Sequence, residues 1–92
     1  MVVRFRKQAL KFLQKSNTEI VAVIREKLNQ IDTVFSAQSI LPFTELSIRA
    51  MKGDWAGYYR LRAGDLRIIF KVDETLKTID VYKIGSRGDI YK

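Results

Sequence analysis

From Tyr58 to Ile84 the chain reads as three runs of alternating side chains separated by two short turns. Tyr58–Arg62 leads into Ala63-Gly64-Asp65, Leu66–Val72 leads into Asp73–Lys77, and Thr78–Ile84 follows. Alternation with a period of two sends every second side chain to the same face of a strand. A tight turn containing glycine brings the chain back antiparallel to itself. These runs predict a three-stranded antiparallel meander, with one face packed and the other open to solvent.

The first half supplies something for the packed face to rest on. Val2–Phe5 predicts a short strand with Val3 and Phe5 on one side. Arg6–Lys15 predicts a helix whose apolar stripe is Ala9, Leu10, Phe12 and Leu13. A second helix is expected from Thr18 to Val34, opened by a capping box from Ser16 to Glu19. Its stripe is Ile20, Val23, Ile24, Lys27, Leu28 and Ile31, and only Lys27 in that set is polar. Both stripes read as core, in an αα-hairpin with one apolar side. The stretch from Ser36 to Gly57 is poorly periodic and is broken by Pro42, with a short strand or helical turn expected near Glu45–Ala50.

The expectation is a single α+β domain spanning residues 1–92: an N-terminal strand, a two-helix hairpin and the meander, with the helices on one sheet face. At 47% hydrophobic residues the chain has the means to fold. It has no run of about 18 apolar residues, so no membrane span is expected. Met1–Lys7 becomes charged at once, unlike a signal peptide, and the cytoplasm is the expected location.

The other face of the meander carries the functional signal. Tyr58, Arg60 and Arg62 point one way, Tyr59 and Leu61 the other. On the next strand Arg67, Ile69 and Lys71 oppose Leu66, Ile68, Phe70 and Val72. The apolar sets are the natural core, which leaves Arg60, Arg62, Arg67 and Lys71 on one open surface. The simplest account of such a surface is a solvated face with scattered charges. A neutral solvent face, however, mixes acids with bases or uses Thr and Ser, whereas this one is led by arginine and flanked by tyrosine.

Lysine and arginine total 17 against 10 acidic residues, a net charge of +7, so the whole chain attracts anions. Charge alone leaves nucleic acid, an acidic membrane surface and an acidic protein open. Histidine and cysteine are both absent. That removes disulfides, thiolate chemistry, the usual proton shuttle and the commonest metal ligands, and no metal or cofactor is expected. Arginine binds phosphate through a planar two-pronged fork and keeps its charge at any relevant pH. Tyrosine stacks on exposed bases, as in many single-stranded RNA complexes. RNA is therefore the expected partner, with Tyr58, Arg62, Lys71 and Lys83 as candidate RNA-binding residues.

Two segments carry a more specific resemblance. Tyr59-Arg60-Leu61-Arg62-Ala63-Gly64-Asp65-Leu66-Arg67-Ile68-Ile69-Phe70 and the closing Lys83-Ile84-Gly85-Ser86-Arg87-Gly88-Asp89-Ile90-Tyr91 together resemble the signature of the RelE family, within the RelE/ParE toxin superfamily. The likeness is close over Tyr58–Tyr91. It is looser over the first half, where the order strand, helix, helix agrees.

The resemblance implies a toxin of a type II toxin–antitoxin pair, held inactive by a cognate antitoxin whose flexible segment folds onto it. That antitoxin is expected to be small and acidic and to bind over the helices and a sheet edge, with direct occupation of Arg60 and Arg67 as the alternative. Many relatives cleave messenger RNA in the ribosomal A site without a metal, the RNA's own 2′-hydroxyl attacking the adjacent phosphate. Carried over by position, the implied catalytic residues are Arg60, Arg67, Arg87 and Tyr91. The arginines stabilise a phosphorane-like state with extra negative charge; Tyr91 either donates to the leaving oxygen or stacks on a base. Two positions depart from the pattern. Leu66 replaces a frequent aromatic residue, and Ser86 stands where many relatives have histidine, which removes a candidate acid or base. Two other readings stay open: a toxin of the ParE branch that binds DNA gyrase without cleaving RNA, and an RNA-binding relative with weak catalysis.

Overall fold

The structure, a computed structural model, describes residues 1–86. The chain begins with strand β1 (Val2–Phe5) and helices α1 (Lys7–Lys15) and α2 (Thr18–Gln38). Strand β2 (Ile48–Ala50) and a single 3-10 turn at Gly53–Trp55 come next. The meander is β3 (Tyr59–Ala63), β4 (Leu66–Asp73) and β5 (Thr78–Ser86). The expected α+β arrangement is present, and the meander is the centre of a five-stranded sheet ordered β1-β5-β4-β3-β2. β1 pairs parallel to β5, with Val3 beside Ile79 and Phe5 beside Val81. β2 pairs antiparallel to β3.

One sheet face meets the helices. Leu61, Ile68, Phe70, Ile79, Val81 and Ile84 are completely buried there, against Ala9 from α1 and Ile24, Leu28 and Ile31 from α2. Two apolar residues of the expected helix stripes fall outside this core: Leu10 is 46% exposed and Val23 is 41% exposed. The apolar arc that meets the sheet is narrower than the run of apolar residues on either helix. Among the described residues no helix is long and apolar enough to cross a membrane.

The element ends correct the sequence reading in detail. The first helix begins at Lys7, because Arg6 keeps an extended backbone as the N-cap. The expected Ser16–Glu19 capping box does not form. Asn17 is the cap of α2, its side-chain oxygen accepting from the Ile20 N–H at 2.9 Å. Ser16 instead donates its hydroxyl back to the Phe12 carbonyl at 2.6 Å and closes α1. Helix α2 runs four residues beyond Val34, since Phe35 still packs on the core. It stops at Ser39, where φ is +56°. Along α2, Asp32 accepts a 2.9 Å hydrogen bond from the Met1 ammonium. That bond, with a second from Ser36, holds its carboxyl below the usual carboxylate range.

Gly64 occupies the first position of the two-residue β3–β4 turn with φ +61°, a left-handed conformation that glycine adopts without strain. The β4–β5 ladder contains one irregularity. Ile69 pairs with Lys83 but Phe70 pairs with Val81, so Tyr82 is an extra residue in β5. Such a bulge re-aims side chains. Here it places Tyr82 and Lys83 on the same face, between the core residues Val81 and Ile84.

Candidate RNA-binding face

The face of the sheet away from the helices is where the basic residues collect. Strand alternation places Arg60 and Arg62 of β3 there, with Arg67 and Lys71 of β4. Strand β2 adds an arginine that the aperiodic Ser36–Gly57 stretch hid. Ile48 faces the core opposite Leu61, so Arg49 falls on the open face, directly opposite Arg60. On the next pair of strands Arg62 stands opposite Arg67.

The register thus sets two arginine–arginine pairs side by side across β2, β3 and β4. Like charges directly opposite one another weaken a sheet. A surface selected only for stability would separate them. Arg49, Arg60 and Arg62 line one open depression together with Phe43, Ser47 and Gly64. The guanidinium of Arg67 lies back over the turn, Nη1 donating to the Gly64 and Leu66 carbonyls at 3.3 Å each. Both contacts are at the long end for hydrogen bonds, so a phosphate can compete for the same donors.

The remaining candidates form a second group. Tyr58 packs edge-on against Trp55 and Tyr82, with Lys71 over the Tyr58 ring and Lys83 over the Trp55 ring. Trp55 and Tyr82 were not legible as site residues, the first lying in the aperiodic stretch and the second reaching this group from the bulge. Ile69 also departs from expectation: on a face expected to be solvated it is fully buried. Arg87 and Tyr91, implied as catalytic by the resemblance, lie outside the described residues.

Asp80 shares the open face, cross-strand from Lys71. Its Oδ2 is 3.8 Å from Arg6, and its buried Oδ1 has no hydrogen-bond partner among the described residues. Lys71 is four residues along β4 from Arg67, roughly 13 Å at a strand's rise. Asp80 is therefore too far to act on a phosphate held between Arg62 and Arg67.

Comparison with known proteins agrees with this architecture. The family model for the ParE toxin of type II toxin–antitoxin systems matches residues 3–91. The RelB–RelE antitoxin–toxin complex of Methanococcus jannaschii contains a chain 27% identical, with a TM-score of 0.64 over 97% of this chain and 95% of that one. The archaeal RelE–RelB complex of Pyrococcus horikoshii gives 24% identity and a TM-score of 0.63 over 96% of each chain. The YoeB–YefM complex of Staphylococcus aureus gives 24% identity and a TM-score of 0.71 over 96% of this chain and 98% of that one. No curated protein sequence matches the chain.

Proposed function

Because the chain belongs to the ParE toxin family of type II toxin–antitoxin systems, we propose that it is a metal-independent endoribonuclease that cuts messenger RNA on the ribosome and so stops translation. The observation that carries this reading is the double cross-strand pairing of Arg49 with Arg60 and Arg62 with Arg67. Four guanidinium groups on neighbouring positions concentrate positive charge that a bridging anion can neutralise. A phosphodiester is such an anion, and its charge grows during in-line attack.

In that reaction the ribose 2′-oxygen forms a bond to phosphorus and the bond to the 5′-oxygen breaks. The 2′-hydroxyl loses its proton and the departing oxygen gains one, leaving a 2′,3′-cyclic phosphate and a 5′-hydroxyl. Fixed donors aimed at the phosphate oxygens favour the pentavalent state over the ground state. Arg60 and Arg67 are assigned that task, with Arg62 and Arg49 holding the flanking backbone. Arg87 and Tyr91 complete the set by the family resemblance, Tyr91 as proton donor or base-stacking partner. The partner class follows from the family: a cognate antitoxin, as in the RelB–RelE complex of Methanococcus jannaschii.

The family model's ParE description favours one other reading, inhibition of DNA gyrase by binding. Two assays separate them. Purified toxin is added to ribosomes engaged on a defined messenger RNA, and in parallel to gyrase with relaxed plasmid. Cleavage on the ribosome is expected. Arg60→Ala and Arg67→Ala should each slow it by roughly 10²–10³-fold, the usual loss for one oxyanion donor. Intact message together with blocked supercoiling would transfer the function to gyrase.

A further inference from the structure

The three aromatic rings beside the arginines form a compact cluster drawn from three separate places in the chain. Trp55 comes from the 3-10 turn, Tyr58 from just before β3, and Tyr82 from the bulge in β5. Ring centroids are 5.3 Å apart for Trp55–Tyr58, 5.5 Å for Trp55–Tyr82 and 5.4 Å for Tyr58–Tyr82. The interplanar angles of 88°, 79° and 67° make every contact edge-to-face. Each ring is half-buried. The ammonium groups of Lys71 and Lys83 sit 5.5 Å from the centroids of Tyr58 and Trp55 respectively.

Part of this arrangement is explained by Ile69, which is fully buried on the face that also carries Arg60 and Lys83, its cross-strand neighbours. A cover for Ile69 needs only apolar bulk. It does not need ring faces turned toward cations, nor a tryptophan that shares a depression with Arg49 and Arg60.

We propose that Trp55, Tyr58 and Tyr82 form a nucleobase-binding site, and that Lys71 and Lys83 hold its ring faces closed until RNA arrives. This rests on the RNA reading of the arginine face and extends it to a second subsite. When the RNA backbone lies along the arginine pairs, each ammonium exchanges a ring for a phosphate, a charge-assisted partner that holds it more strongly than an exposed ring face does. The vacated ring accepts a base. Base–aromatic stacking tolerates any sequence, because every base has a π-face. The site therefore fixes where the strand lies rather than which base occupies it. An acidic peptide would satisfy the arginines and lysines but would offer the rings no flat partner. A polymer that alternates phosphate with base supplies both.

Trp55 is the chain's one tryptophan, so its emission reports on this cluster alone. The full-length protein is titrated at low salt with a short 2′-O-methyl oligonucleotide, which cannot undergo in-line attack. The comparison ligands are the same backbone with abasic sugars and inorganic polyphosphate. All three are expected to bind, measured by displacement of a labelled oligonucleotide, and only the base-bearing strand should quench Trp55. Tyr82→Leu keeps apolar bulk at this position and should weaken oligonucleotide binding by at least about 5-fold, with polyphosphate binding unchanged. Equal affinity for base-bearing and abasic strands, with unchanged Trp55 emission, would overturn the base site and leave the arginine face standing. If none of the three ligands binds, the RNA reading itself fails and this proposal goes with it.

Discussion

At the residue scale, the arginines of the open face carry a cost in stability. Arg62 is exposed and stands directly opposite Arg67. Replacing it with a β-branched neutral residue removes the like-charge pair and improves the fit to a pleated surface. Arg62→Thr is expected to raise the unfolding free energy by a few tenths of a kcal/mol, and by no more than about 1 kcal/mol. RNA affinity should fall in the same variant, the familiar exchange between stability and a working site. Urea unfolding at low and high salt checks this. Salt should stabilise the parent more than the variant, because it screens the repulsion that the variant lacks. A variant less stable than the parent at every salt concentration would show that the arginine pairs are not under tension. Arg60, Arg62 and Arg67 could be placed on one face from the sequence, since alternation alone decides it. Arg49 could not, because its strand is three residues long and follows an aperiodic segment.

At the element scale, the outer edge of β5 shows how this sheet is finished. β1 covers β5 only from Thr78 to Val81. Beyond that point helix α1 takes over the role of a neighbouring strand. The Gln8 side-chain amide donates to the Ile84 carbonyl and accepts from the Ile84 N–H, both at 2.9 Å. One side chain thus completes the backbone pairing just after the Tyr82–Lys83 bulge and ties α1 to the sheet. Gln8→Leu leaves two partly buried backbone groups unpaired, and the expected loss is about 2 kcal/mol of stability. Amide exchange should show the loss locally, with the Ile84 N–H losing protection before the β3–β4 pairing does. Uniform loss across the sheet, or none, would contradict this role. No sequence pattern announces such a contact. Gln8 reads as an ordinary polar position on a helix, and its partner is 76 residues away. The cap of α2 was more nearly legible: Ser16, Asn17 and Thr18 are all good N-cap residues, and the geometry selects Asn17.

For the whole molecule, the net charge of +7 and the local arginine cluster act together on any polyanion. If Arg49, Arg60, Arg62 and Arg67 each neutralise one phosphate of a single strand, the logarithm of affinity should fall with the logarithm of salt with a slope near −3. Binding of an uncleavable single-stranded RNA measured across salt concentrations gives the slope directly, and a flat response would remove the arginine face from RNA recognition. The same charge would speed encounter with any acidic protein segment.

The sequence by itself determined the meander, the two amphipathic helices and the sidedness of three of the arginines, because each follows from the period of a strand or helix within a few residues. It also carried the family signature, which lies in segments close together in the chain. Only the tertiary structure decided the rest. The parallel pairing of β1 with β5, the addition of β2, the Arg49–Arg60 register and the convergence of Trp55, Tyr58 and Tyr82 all join segments far apart in sequence. The bulge at Tyr82 depends on a register shift between two strands, which a period read along one strand does not contain. Local periodicity fixes which face a side chain occupies; only long-range pairing fixes which other side chains it meets there.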